Sequence, residues 1–240
     1  MPKFSFDGFC PICQEKKTFA CDGEWFRDLL LCPSCQSTVR ERALALIMEE
    51  TLPGWRELAI HECSPSDRGI SAKLRREAEG YIGSHFFHDV PRGESKHGLR
   101  SEDLENQTFG DECFDCVVTL DVMEHLFNPA RAYQEIWRTL RPGGVYLHTF
   151  PIQKGMATGF DVRASLGPDG EIIHHAEPQY HGNPVDPSGA LVTFDYGYDV
   201  SKQIAEWAPF DVRVTRFSDQ THGILGEYTE VIACRKRRPS

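Results

Sequence analysis

The sequence predicts an α/β chain, an open and doubly wound sheet of mainly parallel strands preceded by a small metal-binding module. Two observations carry this. Residues 109–151 read as strand, acidic loop, capped helix, Gly-Gly turn and second strand, and a strand–helix–parallel strand unit closes through a right-handed crossover. Cys10, Cys13, Cys32 and Cys35 form two C-x-x-C knuckles separated by eighteen residues, a spacing that suits a four-thiolate zinc site.

Each element follows in chain order. Four thiolates satisfy tetrahedral Zn²⁺ without water, so the expected role of the first module is structural. Redox dithiols, chance cysteines and iron–sulfur ligation are the alternatives, and Cys21 between the knuckles is a spare thiol. Residues 37–52 read as a helix, with Thr38 and Glu41 as a capping box and Leu44, Ile47 and Met48 as an apolar stripe that docks the module onto the rest. Pro53-Gly54 ends it, dividing a module and linker helix over 1–56 from a sheet domain over 57–240.

Residues 58–63 suit a first strand, 71–79 a helix and 81–87 a second strand, while Pro91 to Gly98 reads as an exposed loop. Phe114 to Leu120, with β-branched Val117, Val118 and Thr119, suits a parallel strand covered on both faces. It ends at Asp121, Glu124 and His125. Asn128 and Pro129 start a helix that Tyr133, Ile136, Trp137 and Leu140 continue and Pro142-Gly143-Gly144 stops before a strand over 145–150. Cys113 and Cys116 form a third C-x-x-C, but strand residues three apart face opposite ways, so these, like Cys63 and Cys234, read as packing. Residues 152–190 are long and rich in Gly and Pro, and carry His174, His175, Tyr180 and His181; they read as an inserted lid, with a second metal site from the three histidines as the sharper alternative. A helix over 196–207 and strands over 212–217 and 227–235 close the chain. Ligands in such sheets bind outside the carboxyl ends of the strands, which puts Asp121–His125 and Thr149–Pro151 on one rim.

Asp103-Leu104, Phe109, Asp111 to Asp115, Glu124-His125 and Leu140 to Gly144 follow in order the pattern of the class I S-adenosylmethionine-dependent methyltransferases. The chain resembles their type 11-like, small-molecule branch. The resemblance implies a Rossmann-like, seven-stranded methyltransferase sheet with an antiparallel edge hairpin, S-adenosylmethionine as cofactor, and cofactor contacts at Glu62, Ser64, Ser66, Gly69, Ser84, Asp103, Leu104 and Asp121. Asp103 matches the residue that meets the adenine amino group. The first turn departs from the pattern: Cys63 to Gly69 holds a single glycine, and Ser84 or His85 stands where the family places an acidic residue for the ribose. A divergent working site and a fold that has lost its cofactor are the two readings this leaves.

A sulfonium methyl is already activated, so the protein's task would be to align an acceptor and remove a proton where the acceptor is a hydroxyl. His125, His181 and His175 are the candidate bases, with Tyr180 orienting the acceptor; His148, inside a strand, reads as structural. The formal charge of −10 argues against nucleic acid as partner, because phosphate binding needs basic stripes. No run approaches the roughly twenty apolar residues of a membrane span, and nine cysteines in metal-type spacing, without a secretory signal at the start, suit a reducing, cytoplasmic setting. The expected acceptor is a small polar molecule such as a sugar or glycan precursor. A non-catalytic, zinc-stabilised interaction protein and an RNA methyltransferase are the competing classes.

Overall fold

A computed structural model describes residues 2–183 and 187–238. At the amino end β1 (Phe4–Cys10) and β2 (Glu15–Cys21) pair as an antiparallel hairpin, followed by the short α1 (Phe26–Leu29) and by α2 (Val39–Thr51). The Thr38–Glu41 capping box forms as expected, with the Thr38 amide donating to Glu41 Oε2 at 2.7 Å.

The main sheet contains β3 (Ala59–Cys63), β4 (Gly80–His85), β5 (Ser95–Lys96), β6 (Leu99–Ser101), β7 (Phe114–Leu120) and β8 (Leu140–Thr149). The insertion follows with β9 (Phe160–Val162), β10 (Ala164–Leu166), β11 (Ile172–His174), β12 (Tyr180–His181), β13 (Ala190–Leu191) and β14 (Phe194–Tyr196), and β15 (Phe210–Arg216) and β16 (Glu230–Lys236) close the sheet. Its order is β15-β16-β8-β7-β3-β4-β6-β5. Strands β3, β4, β6, β7 and β8 are parallel, and the edge hairpin of β15 and β16 enters antiparallel to β8. One strand exceeds the expected seven. Residues 91–98, read as a loop, include β5, joined to β6 by His97 (φ 53°) and Gly98 (φ 78°); two left-handed residues in sequence match the twist of a tight hairpin.

Two cores cover the sheet. On one face Leu44, Ile47 and Met48 of α2, and Ile70 and Leu74 of α3 (Gly69–Glu77), meet Ile60, Cys116, Val118, Val145 and Leu147. Cys10, Ile12, Phe19 and Cys32 belong to that same cluster, so the cysteine module shares the core of the sheet. On the other face Ala132, Tyr133 and Ile136 of α4 (Pro129–Thr139), with Val200 and Ile204 of α5 (Val200–Trp207), meet Phe114, Val117 and Tyr146. Strand β7 therefore alternates between two buried faces, which separates Cys116 from the partly buried Cys113. The helix expected from Tyr196 begins at Val200, because Phe194 and Tyr196 alternate inward as a strand against β9. Among the described residues of 160–196 three two-stranded ribbons form, and Pro184, at the end of the histidine-rich run, lies outside the described residues. No helix among the described residues is long and apolar enough to cross a membrane.

Candidate functional site

The order of strands reverses between β3 and β7, since the chain proceeds outward from β3 to β4 and β6 and then in the opposite direction from β7 to β8. Such a switch point is where open α/β sheets bind ligands. Ser64 follows β3 in the left-handed region (φ 56°), its amide donating to Ser84 O at 2.8 Å and its Oγ 3.1 Å from His85 Nδ1. Asp103 stands half-buried beyond β6, its Oδ1 accepting from the Glu105 amide at 2.8 Å, above the buried Leu104. Ser66 folds back on its own turn, donating to Arg68 O at 3.1 Å.

Four residues expected at the cofactor are buried, Gly69 and Leu104 as well as Ser84 and Glu62. Ser84 is wholly buried with its Oγ 2.7 Å from His61 Nε2. Glu62 faces α3, where it accepts from Ser71 Oγ at 2.5 Å and Tyr81 Oη at 2.9 Å. Burial excludes both from the open rim.

The amino-terminal module covers the first turn. The Gly69 amide (φ 56°) donates to Cys35 O at 2.9 Å, Arg68 donates to Gln36 O, and Glu41 Oε1 lies 3.3 Å from the Ile70 amide at the start of α3. A Cβ built at residue 69 would fall 1.9 Å from that Glu41 oxygen. The glycine is therefore required here by a carboxylate of the chain itself as well as by its φ. Across the switch point Asp121 Oδ2 accepts from Arg27 Nη2 and Arg40 Nε, each at 2.7 Å, and Thr149 Oγ1 donates to Oδ1 at 3.2 Å. Burial alone would raise the Asp121 carboxyl, but the two guanidiniums hold it below the usual carboxylate range. Sequence reasoning missed Arg27, Arg40 and this second use of Glu41.

The four module cysteines converge. Cys10 and Cys35 sulfurs are 3.7 Å apart, Cys13 and Cys32 sulfurs likewise, and all four lie within 4.8 Å of one another. A tetrahedron with Zn–S bonds of about 2.3 Å has edges of about 3.8 Å, so the donor set and its spacing fit Zn²⁺. Cys21 is not in the group; its thiol donates to Gly23 O at 3.1 Å.

At the end of β7 a second constellation forms. Glu124 is 2% exposed, and its Oε1 lies 3.8 Å from His125 Nε2 and 3.5 Å from His181 Nδ1. His125 Nδ1 is 2.8 Å from Leu191 O, and the Thr193 amide donates to Glu124 O at 2.8 Å, so the ribbon of β12 and β13 and the strand that follows are stitched to the rim. His125 and His181, separated by most of an insertion, are thus neighbours. His175 is elsewhere, its Nε2 2.8 Å from Ser165 Oγ on the exposed β10–β11 ribbon, and Tyr180 is 56% exposed. The group of three histidines weighed from sequence does not assemble; among the described residues the cluster has Glu124 and His125 in place of His174 and His175. His148 is buried beside Tyr133 Oη at 3.0 Å, and burial lowers it to about 3, which keeps it neutral. Two open clefts, of about 290 and 540 Å³, lie where β8 meets the insertion, lined by Ile152, Lys154, Tyr198 and Tyr228 and by residues 153–158 with Asp195. Neither is lined by the residues expected to hold the cofactor, whose turn is under the module.

A doubly wound sheet with this switch point and an antiparallel terminal hairpin has the architecture in which open α/β sheets hold ligands at the carboxyl ends of their strands. Residues 84–148, from the end of β4 into β8, match the family described as a methyltransferase domain. A Mycolicibacterium smegmatis protein named as a probable S-adenosylmethionine-dependent methyltransferase is 37% identical over 148 residues, 50% of this chain and 56% of that protein. The chain thus spans little more than half of that relative. Among solved structures, an S-adenosylmethionine-dependent methyltransferase from Mesorhizobium loti aligns with a TM-score of 0.51 at 14% identity, over 80% of this chain and 97% of that one. The 1,6-didemethyltoxoflavin-N1-methyltransferase of Burkholderia thailandensis, solved with bound 1,6-didemethyltoxoflavin and S-adenosylhomocysteine, aligns with a TM-score of 0.51 at 14% identity, over 82% of this chain and 78% of that one. Residues 84–148 are thus similar to a methyltransferase domain, and the chain shares its fold with those solved structures.

Proposed function

We propose that the chain is an S-adenosylmethionine-dependent methyltransferase acting on a small polar acceptor, with a structural Zn²⁺ held by Cys10, Cys13, Cys32 and Cys35. The match of residues 84–148 to a methyltransferase domain carries the first part, because it includes Asp103 and the Asp121–His125 rim. The rim residues fit the two ends of such a cofactor. Asp103 and Ser64 suit the nucleoside, and at the switch point Asp121 offers a carboxylate beside Arg27, whose buried Nε has no hydrogen-bond partner among the described residues. Acceptor and donor together complement an α-amino acid group. When bound, the cofactor supplies an activated methyl on its sulfonium.

The chain's part is alignment and proton removal. With no ion held between them, His125 and His181 are the candidate bases for an acceptor proton, and the insertion, read as a lid, would keep water from the transfer. Tyr180 and the more distant His175 serve acceptor binding in this reading. A sugar or glycan precursor is the acceptor class we favour, and the charge of −10 weighs against RNA. The cytoplasm is the setting proposed.

One observation favours a second reading, a scaffold without cofactor: the Glu41 carboxylate occupies the approach to Gly69. Calorimetry with S-adenosylhomocysteine separates them. Binding that weakens about tenfold in Asp103→Ala, the loss of one good polar contact, is the expected result; no heat at millimolar ligand would leave the scaffold.

A further inference from the structure

We infer that Glu124, His125 and His181 form a second metal site, distinct from the cysteine cluster, for a divalent transition-metal ion.

The first ground is an unsatisfied charge. Glu124 is almost wholly buried, and among the described residues neither of its carboxylate oxygens has a hydrogen-bond partner. A carboxylate bare of partners in such a place is costly, and buried charges are paired or coordinate metals. Its polar neighbours, His125 Nε2 at 3.8 Å and His181 Nδ1 at 3.5 Å, stand beyond hydrogen-bond reach. Ligands about 2.1 Å from one ion are separated by about 3.4 Å in a tetrahedron and more at wider angles. The observed separations suit atoms sharing an ion better than atoms sharing a proton.

Tautomer chemistry is the second ground. The Leu191 carbonyl, 2.8 Å from His125 Nδ1, can only accept, so Nδ1 carries the proton. In the neutral imidazole this leaves a lone pair on Nε2, 3.8 Å from a carboxylate oxygen that is also an acceptor. Two facing lone pairs call for a cation between them. A ring N–H donated to a backbone carbonyl while the opposite nitrogen faces the ion is also the usual outer-shell arrangement of a metal-binding histidine.

The third ground is how the ligands are held. His181 pairs with Ala190 across the β12–β13 ribbon, the next residue Leu191 supplies the carbonyl that orients His125, and Thr193 bonds Glu124 O through both its amide and its hydroxyl. All three ligand atoms lie within 4.8 Å of one another. Two imidazoles and one carboxylate suit zinc, iron or cobalt rather than calcium or magnesium. Three protein ligands leave positions open for oxygen, and on the methyltransferase reading the occupant would be an acceptor whose hydroxyl or carboxylate oxygens can bind the ion.

Cobalt titration of the full chain after chelator stripping tests the site. Co²⁺ in a thiolate cage gives intense sulfur-to-metal bands in the near ultraviolet, whereas a nitrogen–oxygen site gives weak visible bands alone. Wild-type protein is expected to fill both. Glu124→Gln and His181→Ala should keep the sulfur bands and weaken the second event by on the order of a hundredfold or more, beyond the loss of an outer-shell partner. Cys32→Ser should lose the sulfur bands and keep the second event. His181 lies on a ribbon outside both cores, so its variant serves if Glu124→Gln does not fold. A wild-type titration that ends with the sulfur bands, or unchanged second-site affinity in His181→Ala, would overturn the inference. S-adenosylhomocysteine calorimetry on the same samples reads the methyltransferase assignment separately.

Discussion

Glu62 and Arg42 are charged side chains that the fold has taken inside. Glu62 has no exposure, and burial pushes its carboxyl up to about 7, only partly offset by the hydrogen bonds from Ser71 and Tyr81. The unfolded chain would release that proton near 4.5. The protonated form therefore contributes stability that is complete below about 4.5 and lost as pH rises through about 7. The difference is worth roughly 3 kcal/mol. Thermal melting across this window should show wild-type stability falling with pH and a flatter profile for Glu62→Gln; parallel profiles would assign the titration to another group. Arg42 is fully buried, donating from Nη2 to Leu30 O at 2.7 Å and Gly223 O at 2.6 Å, with its guanidinium 4.6 Å from the Phe19 ring centroid. Arg42→Ala strands those carbonyls and should cost about 3 kcal/mol in denaturant unfolding, far more than an exposed arginine.

Elements whose signals are local were legible, and contacts between elements were not. Helix α4 begins as read, with Asn128 Oδ1 accepting the Arg131 amide at 3.1 Å and Pro129 in the first turn. Asn128→Ala should lower stability by about 1 kcal/mol in the same unfolding assay. The bounds of β7, the Thr38–Glu41 box and the convergence of four cysteines were likewise readable, because each rests on residues close in sequence or on a spacing that only a few folds use. The Arg27–Asp121 pair spans 94 residues, and nothing in either neighbourhood announces the other. Glu41 shows the same limit from within a correct reading: its capping role is visible in the sequence, while its place against Gly69 depends on how α2 lies across the sheet. His125 and His181 were each singled out in the sequence as candidate bases, but their meeting with Glu124 depends on the pairing of β12 with β13, which brings His181 to the rim. Short ribbons of two or three residues carry too little periodicity to be read from a single sequence.

At the scale of the whole molecule, the first fifty residues and the sheet are parts of one body. The cysteine cluster, α2 and the β3–β7 strands share a core, and the segment that follows Cys32 touches both sides of the switch point, through Cys35 O and Gln36 O on the turn and through Arg40 on Asp121. If the proposed zinc and cofactor sites hold, removing the ion with a chelator should cost S-adenosylhomocysteine affinity at temperatures where the sheet still melts cooperatively, with faster amide exchange over residues 64–70 than over β7; unaltered exchange in the turn would uncouple the two. The same linkage reaches chemistry that never enters the cleft. Cys13 and Cys35 are only partly buried, so on the proposed zinc and cofactor sites an oxidant or an electrophile from the surroundings could attack their sulfurs, eject the ion and slacken the turn beneath the module, which would make the thiolate cage a fuse for the rim above it.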